Sequence, residues 1–451
     1  MALPARLAKD RYLRDGHTGD AKRSARLYEA AFQSTDGYYS GINSATMSRL
    51  SDADDAIVLA RAQAVLDRLG AVEGESDEDR YYIEATRAEA QYILGNETAA
   101  RTALQHAVDY DPLNYNAHAS TYRQMRLLTE ANGKIPDWLK RMRPPLSVHF
   151  AGHIFGRIKD EASLIITLSD MIQRHDIGFG YGALAAGSDI VFAECLLNEG
   201  GTLNIILPVE EALFVEKSVQ HLGEDWTSRY EACRAQAASI RILSTETVWP
   251  NPVLNNYAAR IAMGAAVARA DELSSEAAQI LIWDERIGRS LTGQHALDWR
   301  AANKSGGTER LQIVVPYPDR RGDKGPRPDH AVYESIVKFA VSDGQLTEFF
   351  TDPLQAMDSA QARRRPNKRP ASASRAKIGV HTGYVQDNDT AALEHFAKML
   401  SRTALPDSVL ISEEMSNTLA LMSGASWETS FMGTVGGTSN RQAYCAKRIR
   451  H

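Results

Sequence analysis

The chain has 451 residues, 43% hydrophobic and 24% charged, which at roughly 150 residues per domain predicts about three domains with apolar material for more than one core. Lys and Arg number 51 against 57 Asp and Glu, a net charge of −6, which excludes a globally basic nucleic-acid binder. Three cysteines at long spacing (Cys195, Cys233, Cys445) and the lack of an apolar run of about 18 residues argue against a disulfide framework, a zinc module or a membrane span, and fit a cytoplasmic protein.

Residues 1–143 read as helix throughout. The clearest unit runs from Ala88 to Pro112, where Gly95 is followed by Ala100, Leu104, Ala107 and a closing proline. Small residues at these offsets let two antiparallel helices approach closely. The spacing resembles the second half of a tetratricopeptide repeat. Upstream, Tyr38-Tyr39-Ser40-Gly41-Ile42-Asn43 leads through Ala45 and Leu50 into a helix from about Asp54 to Leu69. This stretch resembles the helical TRAF-binding domain of some bacterial proteins and of ASK-type MAP kinase kinase kinases. A stacked helical array is more often a binding surface than a catalytic site, so a protein partner is expected there.

The texture changes near Pro144-Pro145. SVHFAG, IGFGYG, TLNIILP, IRILST and AQILIWD are β-rich runs, separated by helical patterns at 160–174, 188–199, 210–221, 225–238 and 254–271. Strands alternating with helices of this length predict an α/β doubly wound parallel sheet over 144–307. The remainder, 308–451, opens on the apolar strand LQIVVPYP. It continues with a helix near 331–340, a strand at LTEFF, and a basic loop at 362–377 with seven Lys and Arg residues. That loop reads as a solvated linker or as an electrostatic contact for phosphate or nucleic acid. The predicted architecture is therefore multidomain: an all-α helical repeat, the doubly wound sheet, and an α+β domain of ferredoxin-like type.

In the middle domain the informative residues lie at strand ends. The first strand enters Gly152-His153-Ile154-Phe155-Gly156, where glycine would let the backbone approach a bound phosphate and the next helix would offer free N–H groups. The second enters Gly187-Ser188-Asp189, with Glu194 farther along the same helix. The last strand gives Trp283-Asp284, followed by Thr292-Gly293. Asp189, Asp284 and Thr292 are equally read as helix caps. The order of Gly-Ser-Asp, helix, Gly200-Gly201, apolar strand and Pro resembles the DprA-like and lysine-decarboxylase-like (LOG, SLOG) Rossmann superfamily. That resemblance implies a nucleotide or nucleotide-like ligand held by Gly152, Gly187, Ser188, Asp189, Glu194, Asp284 and Thr292. The hydrolases' Pro-Gly-Gly-x-Gly-Thr motif is absent, which favours binding over catalysis. A nucleoside or NAD-type glycohydrolase with Glu194 or Asp189 as the acid is the enzymatic alternative.

Lys377-Ile378-Gly379-Val380-His381-Thr382-Gly383 resembles the RIGVHTG strand–turn of class III adenylate and guanylate cyclases. Ser342-Asp343-Gly344, LPDSVLISEEM and AYCAKR resemble other pieces of that family in order. The resemblance implies a dimer whose interface holds two metal ions, Mg2+ or Mn2+, on Asp319 and Asp343. It also places His395 and Met399 where the family has a ribose-steadying asparagine and a phosphate-binding arginine. Methionine cannot bind phosphate, so a cyclase shape without cyclase activity is expected, with an active cyclase making cAMP or cGMP as the alternative. His381 reads as a feature of the turn, and Cys195 as a core thiol. Together the modules suggest a bacterial signalling protein that binds a nucleotide-derived ligand and works as a homodimer.

Overall fold

The computed structural model describes residues 2–156, 160–244, 252–283, 291–306, 309–316, 332–341, 344–350, 352–364, 376–385, 390–422, 427–435 and 441–449. They fall into two compact units, Met1–Pro144 with Ala270–Ser275, and Pro145–Arg269 with Glu276–His451.

The first unit is helical: α1 Ala2–Asp15, α2 Thr18–Thr35, α3 Tyr38–Leu50, α4 Asp55–Leu69, α5 Asp77–Ile93, α6 Glu97–Tyr110, α7 Tyr115–Ala131 and the single turn α8 Asp137–Lys140. Side chains cap several helix starts. Asp54 accepts from the Ala56 N–H, and Ser76 and Asp79 form a reciprocal capping box on α5, each holding amides that the helix leaves without a partner. α5 and α6 form the pair expected around Gly95, which takes φ +83 at the turn, while Ala88, Ala100, Leu104 and Ala107 are buried.

α3 is the centre of this unit. Every residue from Ser40 to Ser48 is buried, although five of the nine are Ser, Thr or Asn. A polar helix survives enclosure only when its polar atoms find partners, and neighbouring helices supply them. Lys9 of α1 donates to Asn43 Oδ1 (2.7 Å) and to Gln124 Oε1 of α7 (2.7 Å). Gln124 and Thr46 both donate to Glu89 of α5, and Ser44 donates to Glu29 (2.8 Å), itself paired with Arg61.

The second unit contains two six-stranded sheets. The first is built from β1 Leu146–Gly152, α9 Glu161–Arg174, β2 Ile177–Gly182, α10 Ser188–Asn198, β3 Thr202–Leu207, α11 Glu211–Ser218, α12 Glu224–Gln236, β4 Ser239–Ile242, α13 Pro252–Leu273, β5 Ala277–Trp283, α14 Leu291–Gly306 and β6 Leu311–Pro316. Its order is β4-β3-β2-β1-β5-β6 and every pairing is parallel. The parallel α/β sheet read from the sequence is thus present. β6 extends it: it pairs with β5 from Ala278↔Leu311 to Trp283↔Pro316. The sheet therefore runs past the expected boundary at 307, and LQIVVP closes this sheet instead of opening the next.

The second sheet comprises β7 Val332–Val341, β8 Gly344–Phe350, α15 Pro353–Arg364, β9 Lys377–Val385, α16 Ala391–Thr403, β10 Ser408–Ser412, α17 Glu413–Met422, β11 Trp427–Val435 and β12 Arg441–Arg448, in the order β11-β12-β10-β9-β7-β8. β9 and β10 are parallel and the other pairings antiparallel. The helix expected near 331–340 is the strand β7. VYESIVKFAV is rich in β-branched and aromatic residues that fit a pleated surface, and a hairpin pairs it with β8. Gly379 and Gly383 admit α16: a Cβ at 379 would lie 2.3 Å from the Ala397 carbonyl oxygen, and one at 383 would lie 2.6 Å from Leu393 Cδ2. Among the described residues no helix is long and apolar enough to cross a membrane.

Candidate functional site

In an open parallel sheet the ligand crevice forms outside the carboxyl ends of the strands, where the strand order reverses. Here the chain steps outward from β1 through β2 and β3 to β4, then returns to β5 on the other side of β1. The switch point therefore lies between β1, ending at Gly152, and β5, ending at Trp283.

Gly152, Gly187, Ser188 and Asp189 come together on the β1 side. Gly187 caps α10 with φ +99 and ψ −123, a conformation reserved for glycine, and forms an isolated antiparallel bridge with Ile154. This draws α10 against the end of β1 so closely that a Cβ at Gly152 would lie 2.2 Å from Ser188 Cβ. The missing side chain of Gly152, expected to make room for phosphate, is used by Ser188 instead.

Asp189 is buried and its carboxylate accepts from the Gly152 N–H (Oδ1, 3.0 Å) and the Ala185 N–H (Oδ2, 3.3 Å). It pins the strand end to the loop before its own helix. Burial pushes its pKa up to about 7, against the lowering effect of those two amides, as expected for an enclosed carboxyl without a cation. The Ser188 N–H donates to His153 O (3.1 Å) and that of Ile190 to Ala185 O (3.3 Å), so two amides at this helix start already have partners. Ser188 Oγ is fully enclosed and has no hydrogen-bond partner.

Glu194 lies apart from this cluster. Arg229 of α12 grips it through two hydrogen bonds (2.8 and 2.6 Å), reaches Glu161 at 2.7 Å, and stacks 4.3 Å over the Trp226 ring. Trp226 in turn donates to the Gly156 carbonyl (2.7 Å). A carboxylate held this way is an ion-pair anchor, not a free acid. Thr292 is buried in the first turn of α14. Asp284, Asp319 and Asp343, together with most of the basic loop, lie outside the described residues. Among the described residues no cluster of three or more His, Cys, Asp or Glu side chains is placed to hold a metal ion.

Beneath the switch point the sheet carries a polar row that sequence reasoning missed. His149, Gln279 and Gln312 are neighbours in register across β1, β5 and β6. Gln279 Nε2 lies 3.1 Å from His149 Nδ1 and donates to His295 O, while Gln312 donates to Gln279 Oε1 (2.6 Å). The His295 ring crosses that of His149 at 5.9 Å, and neither of its nitrogens has a partner. Burial holds both histidines well below their ordinary pKa, His295 at about 4. Both faces of such a sheet are ordinarily apolar, and the opposite face is, with Val148, Phe150, Ile280 and Ile282 in one continuous core. The signal available was alternation: Ser147 and His149 fall on one face of SVHFAG, with Gln279 and Gln312 at matching places in AAQILIW and LQIVVP.

In the second sheet His381 is buried against Phe396, with Nδ1 2.9 Å from Ser412 Oγ. His395 is exposed on α16, and Met399 packs against the cluster of Phe396, Leu400 and Leu410. Cys195 and Cys233 are buried thiols with pKa raised to about 11 and about 12 by burial, which keeps them protonated and unreactive.

No family model matches the chain. No curated protein matches it either. One solved structure that it is similar to is a mutant O-GlcNAc transferase of Thermobaculum terrenum, at 11% identity over 71% of this chain and 75% of that one, with a TM-score of 0.19. A likeness at that level carries no argument about fold or function.

Proposed function

We propose that this chain is a signalling or regulatory protein that binds a nucleotide or nucleotide-derived ligand at the switch point of its parallel sheet. Occupancy is coupled to a protein partner on the helical unit or to pairing of two chains. The observation that carries this reading is the enclosed Ser188 hydroxyl, without a partner, at the start of α10 where the strand order reverses. A buried polar atom left unpaired costs about 1–3 kcal/mol, and its place is where doubly wound sheets take ligands. The second sheet is read as a cyclase-like domain without cyclase activity, because Met399 serves packing and has no charge for a triphosphate. Isothermal titration of the full chain against a panel of nucleotides tests the reading: saturable binding supports it, and the absence of binding across the panel defeats it.

A further inference from the structure

The helix layer formed by α13 and α14 contains a second set of polar atoms without partners. α13 and α14 both start from the carboxyl edge, since each follows a strand of the same parallel sheet. They are pinned together by Arg260, which binds Asp298 through two hydrogen bonds (2.7 and 3.0 Å), and Gln294 donates to the same carboxylate (3.0 Å). One helical turn toward the carboxyl edge from Arg260 stands Asn256, and Gln294 stands one turn up from Asp298. Asn256 is 1% exposed and its Oδ1 has no hydrogen-bond partner. Trp283, 9% exposed at the end of β5 and packed with Ala296 of α14 and Ala151 of β1, has no partner for Nε1. An acceptor and a donor are thus left unmatched at the same sheet edge, on the face opposite Ser188.

Among the described residues the chemistry of this seam is neutral to negative. Arg260 is committed to Asp298, and Asp352, at the start of α15, has its carboxyl raised by burial and by the nearby Asp298 charge. An anionic phosphate would meet those carboxyls, whereas an uncharged planar group offering both N–H and a ring nitrogen or carbonyl matches an Asn acceptor and a Trp donor.

We propose that the seam above Arg260–Asp298 is a nucleobase pocket, with Asn256 and Trp283 as specificity-determining residues. It rests on the reading that the switch point takes a nucleotide, and it assigns the base to the α13–α14 side.

Titration calorimetry on the full chain tests this with three classes of probe: the four ribonucleoside 5′-monophosphates, their nucleosides, and ribose 5-phosphate. At least one nucleotide is expected to bind at least about tenfold more tightly than ribose 5-phosphate, with measurable binding of its nucleoside. Trp283→Phe, which removes the indole N–H, and Asn256→Leu, which removes the amide oxygen at similar volume, are each expected to weaken that nucleotide several-fold and leave ribose 5-phosphate unchanged. Circular dichroism identifies any variant that has lost its fold, and Trp283→Phe is the milder of the two. Equal affinity for nucleotide and ribose 5-phosphate, or folded variants that both bind the nucleotide normally, overturns the base pocket while leaving nucleotide binding intact. No binding by any probe overturns both.

Discussion

Gly152 and Ser188 stand so close that a methyl group at position 152 would fall 2.2 Å from the Ser188 Cβ and 2.6 Å from its hydroxyl. The contact fixes the start of α10 on the end of β1, and with it the shape of the switch point. Gly152→Ala is expected to destabilise the chain by about 1–3 kcal/mol through overpacking. Ser188→Gly in the same chain should return part of that loss. A double-mutant cycle read from urea unfolding measures the coupling, and strict additivity would show that the contact does not constrain the fold.

Asp189 links stability to pH at the same place. Its folded pKa of about 7 lies above the ordinary 3.8, so the folded state holds its proton more tightly than the unfolded chain. The contribution is fully present below about pH 4 and is lost as pH rises toward 7. Three pH units correspond to an upper bound of about 4 kcal/mol. Asp189→Asn should flatten this part of the stability profile, measured as melting temperature from pH 4 to 8. An unchanged slope would contradict the placement of the carboxyl.

The buried histidines act in the opposite direction. His295 and His381 titrate at about 4 in the fold and His149 is held well below its ordinary value. The unfolded chain therefore binds more protons below about pH 6.5, and each of these contributions is lost as pH falls from 6.5 toward 4. His295→Gln is expected to reduce the acid sensitivity of the parallel-sheet domain, read by tryptophan fluorescence through Trp283 and Trp299. Equal acid midpoints for both proteins would contradict it.

In the helical unit, Lys9 and Glu89 belong to one buried network around α3. Burial lowers the lysine and raises the carboxyl. Removing the Lys9 ammonium leaves the Asn43 and Gln124 acceptors without their donor, at a cost of about 1–3 kcal/mol. Lys9→Met is therefore expected to melt this unit well below the parent. A single variant as stable as the parent would show that Lys9 does not hold this network together.

The parallel sheet was legible because its strands are β-rich runs that alternate with helices of ordinary length. Five strands and their connecting helices fall where the sequence puts them. The ends of that reading failed for local reasons. LQIVVP has the same texture as the strands before it, and nothing in its composition says which sheet it joins. VYESIVKFAV carries small and charged residues that also suit a helix, and only its hairpin partner settles the matter. In the site, the glycine at 152 and the Gly-Ser-Asp sequence at 187–189 were visible, but that Ser188 itself fills the space beside Gly152 was not. Arg229 on Glu194, and Arg260 on Asp298, depend on helix-to-helix contacts that no spacing along the chain reveals.

The most direct test of nucleotide binding at the switch point is titration calorimetry of the full chain and of Ser188→Ala against the nucleotide panel. Ser188→Ala removes the hydroxyl and adds no atom to a position that is fully enclosed. Saturable binding by the parent, weakened several-fold in the folded variant, is the expected result. A parent that binds no nucleotide, or a variant that binds as tightly as the parent, would contradict the assignment of the site.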